Sequence, residues 1–178
     1  MSDTVPSLYR GRFAPSPTGR LHAGSLVAAL GSWLLARHHD GTWLVRVEDL
    51  DPPREVPGVA QQQLATLAAF GLVSDEPVIW QSTRHDAYAD ALSRLLDDGS
   101  AFECRCSRSD LAAVGGIHRT CVASDRTRPP AVRLRVPDGT RIAFHDGLQG
   151  EVVQDVDREV GDVVLRRDEA LSGWPGRG

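Results

Sequence analysis

The sequence contains no lysine; its 20 basic residues are all arginine. No side-chain ammonium group is therefore available to neutralise a phosphate, and side chains must meet an anion with guanidinium, imidazole or hydroxyl groups beside backbone N–H. Cysteine is scarce as well. Three cysteines, an odd number, in a chain whose residues 1–6 lack the basic-then-apolar export pattern argue against a disulfide framework and leave free thiols or a metal site. The same missing leader makes the cytoplasm the expected location. No apolar run approaches the length that spans a bilayer, so no membrane partner is expected. Positive charge is not in excess either: 20 basic against 24 acidic residues give a net charge of −4, so a nucleic-acid partner would need a local basic face.

What is present fits a globular α/β chain. The 178 residues, 41% hydrophobic and 25% charged, suit one domain or one domain with an inserted subdomain. Residues 8–13 read as a short strand, and 25–38 as a helix stopped by Asp40-Gly41, with Gly41 supplying the left-handed residue. Residues 42–48, rich in β-branched and aromatic side chains, read as a buried parallel strand. Residues 58–70 place Val59, Leu64, Leu67 and Ala68 at helical spacing, closed by Gly71. A strand at 78–80 precedes a helix over 83–98, with Ser82 as its cap and Tyr88, Leu92, Leu95 and Leu96 on its buried face. This strand–helix alternation predicts a parallel sheet. After Gly99 the character changes: alternating segments at 131–136, 152–153 and 163–165 predict a smaller, partly antiparallel unit, so the expected division is 1–99 and 100–178.

Three stretches carry chemistry. The first, Arg12 to Ser25, crowds Pro15, Pro17 and Gly19 before an apolar helix. Such a loop is either a plain connection or a phosphate site, because a helix start leaves N–H groups unpaired and Gly24 lets an anion approach them beside His22 and Ser25. The second, residues 48–55, gathers carboxylates after a strand. It is either a solvated acidic turn or part of a ligand site at the carboxyl end of a sheet. In the third, Cys104-Arg105-Cys106 and His118-Arg119-Thr120-Cys121 bring three thiols and an imidazole into one window, a tetrahedral zinc set or a group of ordinary buried thiols.

The first stretch resembles the first signature of class I aminoacyl-tRNA synthetases. Their His-x-Gly-His element stands here as His22-Ala23-Gly24-Ser25, after an Arg-Phe-Ala-Pro-Ser-Pro-Thr-Gly run typical of the glutamyl branch. Ser25 departs from the pattern, since a hydroxyl can hydrogen-bond a phosphate or ribose but carries no positive charge. The strings at 21–32 and 48–58, Trp80-Gln81-Ser82 with Arg84-His85-Asp86, and the cysteine array are similar to the glutamyl-queuosine tRNA(Asp) synthetase family. That group is a paralogue of glutamyl-tRNA synthetases without an anticodon-binding domain. The resemblance covers roughly residues 9–167. Family members often have Tyr where His118 stands; His is the better zinc ligand.

The resemblance implies a Rossmann-like parallel sheet, the first half of a class I catalytic domain, with a small zinc-bearing subdomain. It implies an ATP-dependent ligase that forms glutamyl-adenylate and passes the glutamyl group to queuosine of tRNA(Asp), as a monomer with ATP and Mg²⁺. Arg12, Phe13, Ala14, Pro15 and Ser16 would contact glutamate, and Glu48 its ammonium. Thr18, Gly19, His22, Gly24 and Ser25 would hold ATP, with His22 and Ser25 acting on the phosphates. Cys104, Cys106, His118 and Cys121 would hold a structural Zn²⁺. The family continues beyond its Leu-Arg-Arg strand with the second half of the fold and a lysine-bearing loop. Residues 168–178 show neither a helical nor a strand period, so the expectation is a C-terminally truncated member with impaired activity. Two alternatives stand beside it: an N-terminal piece of an ordinary glutamyl-tRNA synthetase, and a non-catalytic zinc-bearing binding module.

Overall fold

The computed structural model describes residues 9–167. Residues 1–6, read above for an export pattern, and the tail at 168–178 lie outside the described residues. Contacts divide the chain into two compact units, one up to His85 and one from Asp86.

The first unit is a three-stranded parallel sheet in the order β1 (Arg10–Phe13), β2 (Thr42–Val47) and β3 (Ile79–Trp80). Helices α1 (Ala23–His38) and α2 (Val59–Ala69) form the two crossovers, as the strand–helix alternation predicts. On β2 the residues Trp43, Val45 and Val47 are buried, whereas Thr42, Leu44 and Arg46 are half-buried. The strand expected to be buried on both faces is thus buried on one. Ala29 and Ala36 of α1 and Leu67 of α2 join Trp43, Val45 and Leu72 in a single cluster, with Phe13 packed against it.

Two details of local structure differ from expectation. At the end of α1 the left-handed residue is Asp40, at φ 48°, and not Gly41. Gly41 is required for another reason: a Cβ there would lie 2.2 Å from the Tyr9 carbonyl oxygen, where the chain enters β2 beside β1. Ser82 does not cap the next helix. A 3₁₀ turn over Gln81–Arg84 comes first, and the Ser82 N–H and hydroxyl both donate to the Asp49 carboxylate, at 3.0 and 2.5 Å. Asp49 thereby ties the end of β2 to the segment after β3.

The second unit opens within α3 (His85–Asp97), on which Tyr88, Leu92, Leu95 and Leu96 are half-buried rather than buried. Strands β4 (Ala101–Cys104), β5 (Ala131–Leu134) and β8 (Val163–Arg166) pair antiparallel in the order β4-β5-β8. Strands β6 (Arg141–Asp146) and β7 (Gly150–Asp155) form a separate hairpin. Between β4 and β5 lies α4 (Arg108–Ala112), started by a capping box in which Ser107 and Asp110 exchange hydrogen bonds. A one-turn helix, α5 (Val156–Glu159), precedes β8. Among the described residues no helix is long and apolar enough to cross a membrane.

A candidate active-site loop and a candidate metal centre

The loop after β1 is fastened by its carbonyl groups. Proline offers no N–H, so the fold grips the oxygens: the Glu48 N–H donates to Pro15 O at 2.9 Å and the Val56 N–H to Pro17 O at 3.0 Å. From α2 the Gln63 amide nitrogen donates to Ser16 O at 3.0 Å and Gly19 O at 2.6 Å. Gln63 is 3% exposed and stands on the same helix face as Val59, Ala60 and Leu67. A polar residue on the buried face of a helix is the signal for it in the sequence, and it lies outside the motifs.

His22 is the N-cap of α1. Its backbone is extended, at φ −96° and ψ 171°, and its Nδ1 accepts the Ser25 N–H at 3.2 Å. In that state Nδ1 is the unprotonated nitrogen and Nε2 remains to meet a ligand. A Cβ at Gly24 would lie 3.1 Å from the His22 ring, so this glycine gives the imidazole room over the helix start. The two residues expected to share an anion, His22 and Ser25, are therefore coupled, and the Ser25 N–H is committed to the cap. Thr18 is exposed and Gly19 half-buried beside them.

The sheet register decides which charges meet. Arg12 pairs with Leu44, and strand alternation carries that face on to Arg46 and Glu48. Phe13, Arg12's neighbour, turns the other way and packs against the core cluster, while Pro15 is buried and Ser16 exposed. Glu48 is already partnered: Arg46 Nη2 lies 2.6 Å from its Oε1. Arg46 was missed from the sequence although its position two residues before Glu48 in a strand places both on one face. The acidic segment is not a loose solvated turn. Asp49 holds Ser82, Asp51 pairs with Arg54, and Glu55 accepts the Asp51 N–H at 3.0 Å.

In the second unit the ligand atoms of Cys104, Cys106, His118 and Cys121 all lie within 4.8 Å of one another, and the four can hold a metal ion. Cys104 Sγ is 3.1 Å from His118 Nε2, and Cys121 Sγ is 3.7 Å from Cys104 Sγ and 3.9 Å from His118 Nε2. Zinc–sulfur and zinc–nitrogen bonds of ordinary length would set tetrahedral edges of about 3.8 and 3.6 Å. The set fits. Cys104, Cys106 and His118 are buried and Cys121 is exposed. Although the residue as a whole is exposed, partial desolvation of its sulfur and the adjacent Cys104 push the Cys121 thiol up to about 11. Burial also opposes ionisation of Cys104, but hydrogen bonds to its sulfur, led by the Cys106 N–H and joined by Arg133, bring its thiol below the ordinary value. Thiols so close together need a cation to ionise as a group.

The imidazole has a second partner. His118 Nδ1 lies 2.8 Å from Asp162 Oδ2, and Asp162 Oδ1 accepts the Val136 N–H at 2.9 Å. Asp162 and Arg133 are buried, and Arg133 Nη1 donates to the Asp162 carbonyl at 2.9 Å. Neither residue belongs to the sequence window that holds the four candidate ligands.

Residues 9–128 match the family of tRNA synthetases class I (E and Q), catalytic domain. The chain belongs to this family. The match spans the loop, the acidic segment and all four candidate ligands, and stops short of Arg133 and Asp162. Over 159 residues this class I synthetase chain is 67% identical to a Glutamyl-Q tRNA(Asp) synthetase of Xanthomonas campestris pv. campestris (strain 8004), covering 89% of the chain and 53% of that relative. It is 53% identical over 172 residues to the protein of the same name from Burkholderia cenocepacia, covering 89% of the chain and 58% of that relative. The chain thus spans about half the length of the curated relatives it matches. A glutamate tRNA ligase from Elizabethkingia meningosepticum CCUG26117, solved in complex with its amino acid, superposes with a TM-score of 0.74 at 27% identity, over 94% of this chain and 39% of that one. The class I catalytic fold with its parallel sheet follows from these matches together with the strand pairing.

Proposed function

We propose that the chain carries the glutamate-activating part of a glutamyl-Q tRNA(Asp) synthetase. In the reaction a carboxylate oxygen of glutamate attacks the α-phosphorus of ATP. The bond to pyrophosphate breaks, and the glutamyl group then passes from the adenylate to queuosine of tRNA(Asp), releasing AMP. The observation that carries this reading is the loop at 15–19, pinned by its carbonyls at the carboxyl ends of β1 and β2, where the family's substrates bind. The 67% identity to the Xanthomonas relative, against 27% to the glutamate tRNA ligase, favours the queuosine-directed branch over an ordinary glutamyl-tRNA synthetase.

In this reading Arg12 meets the glutamate carboxylate and Glu48 the ammonium, with Arg46 holding Glu48 in place until the ammonium shares it. Ala14, Pro15 and Ser16 shape the glutamate side of the loop. Phe13, turned to the core, supports it from beneath. Thr18, Gly19, Gly24, His22 and Ser25 receive ATP, which enters with Mg²⁺ as substrate. His22, with Nδ1 spent on the cap, offers Nε2 to a phosphate oxygen, so that stabilisation of the α-phosphate is preorganised. Cys104, Cys106, His118 and Cys121 hold one structural Zn²⁺, which cross-links the second unit and takes no part in the chemistry. The protein works as a cytoplasmic monomer, and with no lysine among its 178 residues the chain by itself turns over poorly.

The test follows labelled glutamate in the presence of ATP. A chain extended with the C-terminal part of the Xanthomonas relative should label queuosine-containing tRNA(Asp) and leave tRNA(Glu) unlabelled, and the 178-residue chain should label neither. Labelling of tRNA(Glu) would assign the chain to the ordinary branch.

A further inference from the structure

The four candidate ligands come from residues 104–121, yet the imidazole among them is oriented from the far end of the unit. His118 and Gly161 form an isolated parallel bridge, and the Asp162 N–H donates to the His118 carbonyl at 2.9 Å. A side chain at Gly161 would drive a Cβ to 2.5 Å from that same carbonyl oxygen, in a residue already at φ +67°, so the close approach depends on glycine. The approach delivers the Asp162 carboxylate to His118 Nδ1 at 2.8 Å, while the opposite nitrogen, Nε2, faces Cys104 Sγ at 3.1 Å. Both carboxylate oxygens are used, since Oδ1 takes the Val136 N–H, and the Asp162 carbonyl takes Arg133. The carboxylate therefore cannot swing toward the thiols without abandoning a buried N–H.

We infer that Asp162 is the positioning residue of the metal centre: it accepts the Nδ1–H of His118, fixes the tautomer whose Nε2 lone pair faces the three sulfurs, and thereby sets the affinity for a tetrahedral divalent cation. This rests on the metal reading above. A carboxylate behind a ligating imidazole sharpens both its orientation and its basicity, and loss of such a partner lowers metal affinity by roughly 10- to 100-fold. Asp162 lies beyond the matched family segment at 9–128, which holds all four candidate ligands.

The experiment measures Zn²⁺ affinity by competition with a chromogenic chelator for the full chain, Asp162→Asn, His118→Cys and the double variant. Asp162→Asn should weaken binding by roughly 10- to 100-fold in the native background. In the His118→Cys background the ligand has no second nitrogen to orient, so the same change should cost less than about 3-fold, the two effects being non-additive. An equal loss in both backgrounds, including failure to fold in both, would show that Asp162 only supports the fold. No loss in either would also overturn the inference while leaving the metal centre standing. Native protein that takes up no Zn²⁺ would remove the centre itself.

Discussion

The loop of the first unit and the cysteine–histidine cluster of the second are finished in opposite ways. Around the loop the fold holds backbone oxygens and leaves side chains such as Arg12, Ser16, Thr18 and His22 exposed. In the cluster the side chains face one another and the backbone serves them, as when the Cys106 N–H donates to Cys104 Sγ and the Val122 N–H to Cys106 Sγ. Each site is nevertheless completed by one buried polar residue 44 positions from its partner: Gln63 to Gly19 in the loop, Asp162 to His118 in the cluster. A substrate site needs open valences on a rigid frame, and a structural metal site needs them closed. In both, rigidity comes from distant polar anchors.

The largest effect should come from opening the cluster. Cys104→Ser combined with Cys121→Ser should reduce zinc from one per chain to near zero by metal analysis, removing stabilisation on the order of 10 kcal/mol from the second unit. Amide exchange over residues 10–80 should stay as in the native protein. Zinc retained by the double variant would sink the ligand assignment, and equal loosening of both units would break the contrast between them.

A smaller effect should follow at the loop. Gln63→Ala strips donors from Ser16 O and Gly19 O and should cost about 2–3 kcal/mol in a urea titration, with faster exchange confined to residues 16–25. Unchanged stability would mean that the prolines alone hold the loop.

The smallest effect concerns Asp75, which supports β2 from outside either site. Arg37 donates to both its oxygens at 2.7 Å, the Trp43 N–H donates at 2.6 Å, and together they hold its carboxyl down at about 2. A depressed carboxyl stabilises the fold above its unfolded value near 3.8 and loses that contribution as pH falls through about 2. The stability difference between the native chain and Asp75→Asn should therefore be full at neutral pH and shrink between pH 4 and pH 2. The pair is partly exposed, so the difference should be modest and smaller still in high salt. A difference constant from pH 7 to pH 2 would contradict the pairing.

How much of this was legible in the sequence follows from the same contrast. Contiguous patterns were: the loop, its helix and the strand before the carboxylates form about where spacing put them, and the three cysteines and His118 come together as candidate ligands. Partners far along the chain were not. Gln63, Arg133 and Asp162 act through tertiary contacts that no local period encodes, and Ser82 read as a cap because its true partner, Asp49, lies 33 residues back. Asp40 and Gly41 exchanged roles since a strand packing against the helix end requires the glycine more than the turn does. Strand β6 was overlooked: Ile142 and Phe144 are separated by the apolar Ala143, which blurs the alternation with Arg141 and His145. Ile142 and Phe144 are both more than half exposed, so the alternation lacked a core to face.

The most direct measurement is calorimetric titration of a non-hydrolysable glutamyl-adenylate analogue into the zinc-loaded chain and its Glu48→Gln variant. The account predicts one site per chain and a loss of about 2–3 kcal/mol on removing the Glu48 charge that faces the ammonium. No binding, or equal affinity in the two proteins, would contradict it.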